Sequence, residues 1–178
     1  MRYLSGLLAV ALLQLGCGTS VYFESESKGE TTVKGSLFSS VLGAFPGVAA
    51  FANMNVSDSQ EFKNQGVGKE DVKSVKLKRL TLKVTAPTDA DFSWLSSIKF
   101  YAESNGRKEL IAQKNGIDGL GLKAPNPQFD LELLDTELKP FVVAPSMSVT
   151  TEATGRLPPK DTTLEATVRL GIDAVLIK

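Results

Sequence analysis

The chain has 178 residues, 20 of them basic and 20 acidic, with no formal net charge, no histidine and one cysteine. Balanced charge removes the electrostatic footprint that binding to nucleic acid or to an anionic membrane surface would require. The missing histidine takes away the commonest general base and the commonest metal ligand, while a hydrophobic share of 42% is that of an ordinary globular chain and suffices for one cored domain.

The N-terminus reads MRYLSGLLAVALLQLGCGTS. Arg2 supplies a positive start, Leu4 to Leu15 form an apolar run of roughly a dozen residues, and Gly16 precedes Cys17. Such a run is too short to span a bilayer, which takes about 20 apolar residues. The layout resembles the bacterial lipoprotein signal, whose lipobox ends in a small residue followed by the cysteine that is diacylated and becomes the new N-terminus. Gly16 and Cys17 match it; Gln14 and Leu15 depart from its preference for leucine three positions before the cysteine and a small residue two before. The resemblance implies a lipid on Cys17, with acyl chains such as palmitate, and hence an exported protein anchored to a membrane of the cell envelope. Gly18, rather than aspartate, follows the cysteine, which resembles the outer-membrane sorting pattern of hosts with two membranes. Two or more acyl chains, each worth about 0.8 kcal/mol per buried CH₂, make such an anchor stable. The other reading is an ordinary cleaved signal in which Cys17 is merely apolar, but a small-x-small cleavage site is missing near the end of the run. A lone cysteine in an exported chain has no intrachain disulfide partner, and thioether attachment of a lipid gives it a use.

The expected organisation is a signal at 1–16, a lipidated N-terminus at 17–35 that continues as a tether or an early strand, and one domain at 36–178. Within that domain, residues 36–56 read SLFSSVLGAFPGVAAFANMNV, the most apolar stretch after the signal. Leu37, Val41, Leu42, Phe45, Val48 and Phe51 recur at helical spacings, and Gly43, Pro46 and Gly47 interrupt them. This predicts a short interrupted apolar helix or loop. Packed inward, it plugs the end of a β core; as a mobile lid, its Leu37, Val41, Phe45, Val48 and Phe51 contact an apolar ligand or the membrane.

From Val72 onward the period becomes that of strands. In VKSVKLKRLTLKV the apolar set Val75 and Leu77 switches phase to Leu80, Leu82 and Val84, which predicts a bulge around Lys78 and Arg79. FSWLSS, Phe92 to Ser97, is expected to form a single helical turn with Trp94 as a core anchor. Further strands are expected over Ser97 to Glu103, Lys108 to Lys114, Phe129 to Leu134 and Ser146 to Ala153. The last, TLEATVRLGIDAVLI, alternates most clearly, with Leu164, Ala166, Val168, Leu170, Ile172, Ala174 and Leu176 on one face. The turn at Asn105 and Gly106 and the loop from Pro158 to Asp161 separate such runs, so neighbouring strands pair as hairpins or cross between sheets. A mainly β fold, an antiparallel β-sandwich, is the expected architecture.

Little catalytic chemistry is legible. Asp130 and Glu132 are expected to face water, and neither a G-x-S-x-G elbow nor an S-x-x-K element occurs. No catalytic residue and no cofactor is therefore expected. Asp89 and Asp91, two apart in TAPTDADFS, are weak calcium candidates, with Asp118 between glycines as a further acidic loop residue. Two functions from different classes remain. One is an envelope lipoprotein whose β-sandwich acts as a non-catalytic structural or protein-interaction module, with an envelope protein as partner. The alternative is a carrier of a lipid or other apolar ligand, with segment 36–56 as lid.

Overall fold

The computed structural model describes residues 18–37, 41–42 and 45–176. Among them are β1 (Thr19–Val33), α1 (Gln60–Gln65), β2 (Val72–Ala86), β3 (Leu95–Ser104), β4 (Arg107–Asn115), β5 (Gln128–Asp130), β6 (Glu132–Leu133), α2 (Lys139–Val142), β7 (Ser148–Gly155) and β8 (Thr162–Leu176). The strands make two four-stranded antiparallel sheets, ordered β1-β8-β2-β5 and β6-β4-β3-β7, packed as a β-sandwich. Cys17 lies outside the described residues.

Alternation builds the first sheet. On β8 the residues Leu164, Ala166, Val168, Leu170, Ile172 and Ala174 are buried, while Glu165, Thr167 and Arg169 turn to the outer face. Of the two readings open for 17–35, strand is the one found: β1 pairs with β8 from Thr19↔Leu176 to Val33↔Thr162. The bulge expected at Lys78 and Arg79 is present as a register shift between Leu77 and Arg79. Both side chains there are exposed, so Leu77 and Leu80 stay on the buried face despite the odd spacing.

In the second sheet, Asn105 and Gly106 have φ of 50° and 76°, the pair of positive values that closes a two-residue hairpin between β3 and β4. Two expectations need correction. Phe92 to Ser97 is not a helical turn but a hydrogen-bonded turn, with the Leu95 amide donating to the Phe92 carbonyl at 3.0 Å and β3 beginning at Leu95. Trp94 is buried as expected, its indole N–H donating to the Asp91 carbonyl at 2.8 Å. Phe129 to Leu134 is not one strand: β5 pairs with β2 in the first sheet, and β6 pairs with β4 in the second. Buried Leu131 sits at the changeover, its amide donating to Leu80 at 2.9 Å, and the Leu134 amide donates to Ile111 at 3.0 Å. One short run thus fastens both sheets along one side, and Asp130 and Glu132 within it face water.

The ends of the sandwich are covered locally. Phe62 of α1 is fully buried and meets the Phe23 ring edge-on at 5.0 Å, and Gly66 ends that helix at φ 63°. Before α2, Glu137 accepts from the Ser74 hydroxyl at 2.6 Å and from the amides of Val75 and Lys139 at 2.8 and 2.9 Å. Burial pushes this carboxyl up, but the three hydrogen bonds outweigh it and hold the group below its ordinary range.

Candidate functional site

Opposite the β5/β6 crossing, the side of the sandwich lies between the edge strands β1 and β7, and residues 41–54 run across it as a strap. Among the described residues from Leu37 to Phe51 the one helical element is a 3₁₀ turn at Ala49–Phe51. Pro46 lacks the N–H a helix needs, and the strap's apolar residues are drawn toward a core between two sheet edges rather than along one helix face. Phe45, Val48 and Phe51 join that core, Phe51 with no exposed surface. Leu37 and Val41 do not: they are 92% and 82% exposed. The six residues grouped by spacing therefore divide into four that are buried, Leu42 included, and two that face solvent.

The strap is tied at both ends to β7. Val41 bridges Arg156 and the Leu42 amide donates to the Gly155 carbonyl at 3.1 Å; Met54 and Met147 exchange hydrogen bonds of 2.6 and 2.9 Å. Between the two bridges the strap advances thirteen residues against nine on β7, four too many for continuous pairing. It therefore bows away. Its middle leans on β1, where Thr31 Oγ1 donates to the Gly47 carbonyl at 3.2 Å. Gly29 admits it: a Cβ there would fall 2.5 Å from Val48 Cγ1 and 2.7 Å from the Ala50 Cβ.

The bow leaves an open groove of about 510 Å³ between strap and β7, lined by Phe45, Val48, Ala49, Ala52, Val149 and Thr151. Alternation fixes which backbone groups face it. Met147 and Gly155 bond outward to the strap, so the intervening outward positions of this antiparallel strand are Val149, Thr151 and Ala153, while Thr150 and Glu152 pair with Tyr101 and Lys99 of β3. The Thr151 hydroxyl is buried with no hydrogen-bond partner. Glu103, the one charged side chain lining the groove, already accepts from Thr150 Oγ1 at 2.6 Å and lies 3.4 Å from Lys108 Nζ.

The other candidates are engaged elsewhere. Leu37 borders a separate cleft of about 190 Å³ with Trp94, Arg156 and Pro159. Asp89 and Asp91 line another of about 190 Å³, yet they do separate jobs: Asp89 Oδ2 accepts from Lys160 Nζ at 2.6 Å, and Asp91 Oδ1 accepts from the Ser93 amide at 2.9 Å. The hydrogen bond from Lys160 holds the Asp89 carboxyl below its ordinary range. Asp118 accepts from Ser96 Oγ at 2.8 Å. Among the described residues no three Cys, Asp or Glu side chains gather to hold a metal ion.

A fourth cleft, about 390 Å³, lies on the outer face of the first sheet, where charges of both signs form a cross-strand row. Arg169 donates to Glu26 at 2.7 and 3.1 Å and keeps that carboxyl below its ordinary range, and Arg79 lies 3.5 Å from Asp130. With four cations and three anions, most of them ion-paired and open to water, such a face is a weak field for a charged ligand. Sequence reasoning missed the groove residues Val149 and Thr151. The signal that could have found them, a strap four residues longer than the strand it borders, exists only once the pairing is known.

No family model matches the chain, and no curated protein matches it. Among solved structures, it is similar to a chain in the cryo-EM structure of Mud crab tombus-like virus, at 7% identity over 96% of both chains with a TM-score of 0.34. Among the described residues no helix is long and apolar enough to cross a membrane.

Proposed function

We infer that the protein is a cell-envelope lipoprotein, anchored through Cys17, whose β-sandwich serves as a non-catalytic protein-interaction module. The observation that carries this reading is where space is found. The inward apolar residues of β8 and the buried ones of the strap are spent on one common core, and none of the β8 residues Leu164, Ala166, Val168, Leu170, Ile172 and Ala174 lines any of the four clefts described. The largest cleft lies at the surface, along a sheet edge, the kind of place where proteins receive other chains. A carrier of an apolar molecule needs the reverse, an interior cavity behind a lid that comes away, and has less support where the lid's own Phe51 is wholly core.

Geometry relative to the anchor favours the same reading. Cys17 precedes β1 by two residues, which leaves little tether. Gly29, under the strap, is ten residues along the strand from Thr19, about 34 Å at strand rise. A body standing on its anchor carries the groove clear of the bilayer, within reach of a protein partner.

The test uses Cys17→Ser in the producing cells. The native protein should take up labelled palmitate and stay with membranes after a high-salt wash. The Cys17→Ser protein should take up none and become soluble, and chemical cross-linking in intact cells should give one discrete envelope-protein adduct for the native chain alone. An unlabelled native protein, or a Cys17→Ser protein that remains membrane-bound, contradicts the reading.

A further inference from the structure

We propose that the groove between β7 and the strap is a docking slot for a single extended, uncharged segment of another envelope protein, which adds to β7 as a strand. This rests on the interaction-module reading and specifies its partner.

The backbone sets the form of the occupant. Val149 and Thr151 turn their amides and carbonyls toward the groove, and no described residue pairs with them there. From Val149 to Thr151 this is about 7 Å of open edge. Only another extended chain satisfies such a periodic row of donors and acceptors. The strap's four surplus residues keep it from doing so itself, because it is tied at Val41 and Met54 and bows between them.

The walls set its chemistry. Phe45, Val48 and Val149 are apolar, and Gly47, Ala49 and Ala52 are small and exposed, so side chains of modest size fit between strap and strand. Glu103 is already matched by Thr150 and Lys108. A charge brought into the groove would find no free counter-charge, and its desolvation would be uncompensated.

A second copy is the poorer occupant. Every alternating segment among the described residues is already spent in the two sheets, so a copy has no spare strand to lend. An edge of a second sandwich would bring two sheets, about 10 Å apart, against a groove walled by the strap. A lone strand meets neither obstacle.

The test pans random peptides about five residues long, the run that fits between the strap's ties at Met147 and Gly155, against the whole protein, and then titrates the best peptide into three proteins. Thr151→Pro removes one outward N–H while leaving the pairing with β3, a place where an edge strand tolerates proline. Ala52→Trp fills the slot from its exposed wall without touching the core. Selected peptides should be uncharged at their centre, each substitution should weaken binding roughly tenfold or more, and peptide should slow amide exchange at Val149 and Thr151. Failure to enrich any peptide, equal binding to all three proteins, protection elsewhere, or a dimer that protects these amides without peptide would each overturn the slot. If the cellular adduct persists in both variants, the slot falls and the interaction module stands. If the native protein gives no adduct, the module reading fails whatever peptides bind.

Discussion

Phe51→Ala should lower the stability of the protein by about 3–5 kcal/mol, the usual cost of emptying a buried aromatic site. Phe51 has no exposed surface and belongs to the same core as Val48, Phe45 and the inward residues of β8. The strap around it is held at Met54 and Val41 and pressed onto β1 at Gly29, so it cannot simply close over the space the ring leaves. Part of the cost is lost transfer energy and part is the residual cavity. Urea unfolding should show a lower midpoint at an unchanged slope. A loss under about 1 kcal/mol, within the range of a surface substitution, would mean that the strap is a lid resting on the body rather than part of its core.

Gly155→Ala should be comparably severe, costing about 2–4 kcal/mol through backbone strain and overpacking together. Gly155 has φ of 148°, a conformation that residues with a side chain rarely adopt, and a Cβ there would fall 2.2 Å from the Trp94 carbonyl oxygen and 3.0 Å from the Ser96 amide nitrogen. Both neighbours are backbone of the segment that pairs β3 with β7, so neither yields as a flexible side chain would. The same residue accepts from Leu42 and fixes the first end of the strap. Thermal unfolding should show a clear fall in midpoint. Gly119→Ala is the control: nothing lies within 4 Å of its added Cβ, so the change should stay within about 0.5 kcal/mol. Equal midpoints for the two variants would contradict the geometry at Gly155.

What the sequence made legible was local. The phase switch from Leu77 to Leu80 announced the bulge, because keeping one face buried across an odd spacing requires an extra residue. Asn105-Gly106 announced a hairpin by the backbone conformation it permits, and the alternation of β8 placed its buried face residue by residue. What was not legible depends on partners distant in the chain. Phe129 to Leu134 reads as one strand, and only the positions of β2 and β4 show that it serves two sheets. From Leu37 to Phe51 the spacing imitates a helix, yet among the described residues Leu42, Phe45, Val48 and Phe51 are buried without an α-helix, and Leu37 and Val41 are left in solvent. The groove itself follows from the mismatch between residues 41–54 and 147–156, a relation across about 100 positions that no local period reports. For Asp89 and Asp91 the spacing was compatible with shared ligation, but Lys160 and the Ser93 amide had separate claims on them.

The central claim is that this protein works through its surface and keeps its interior filled. Native mass spectrometry of residues 18 to 178, purified after exposure to total envelope lipid extract, tests it most directly. The account predicts a clean polypeptide mass with no lipid increment. A stoichiometric lipid increment, lost when Phe45 and Phe51 are replaced by serine in a protein that still folds, would contradict it and establish an apolar-ligand carrier.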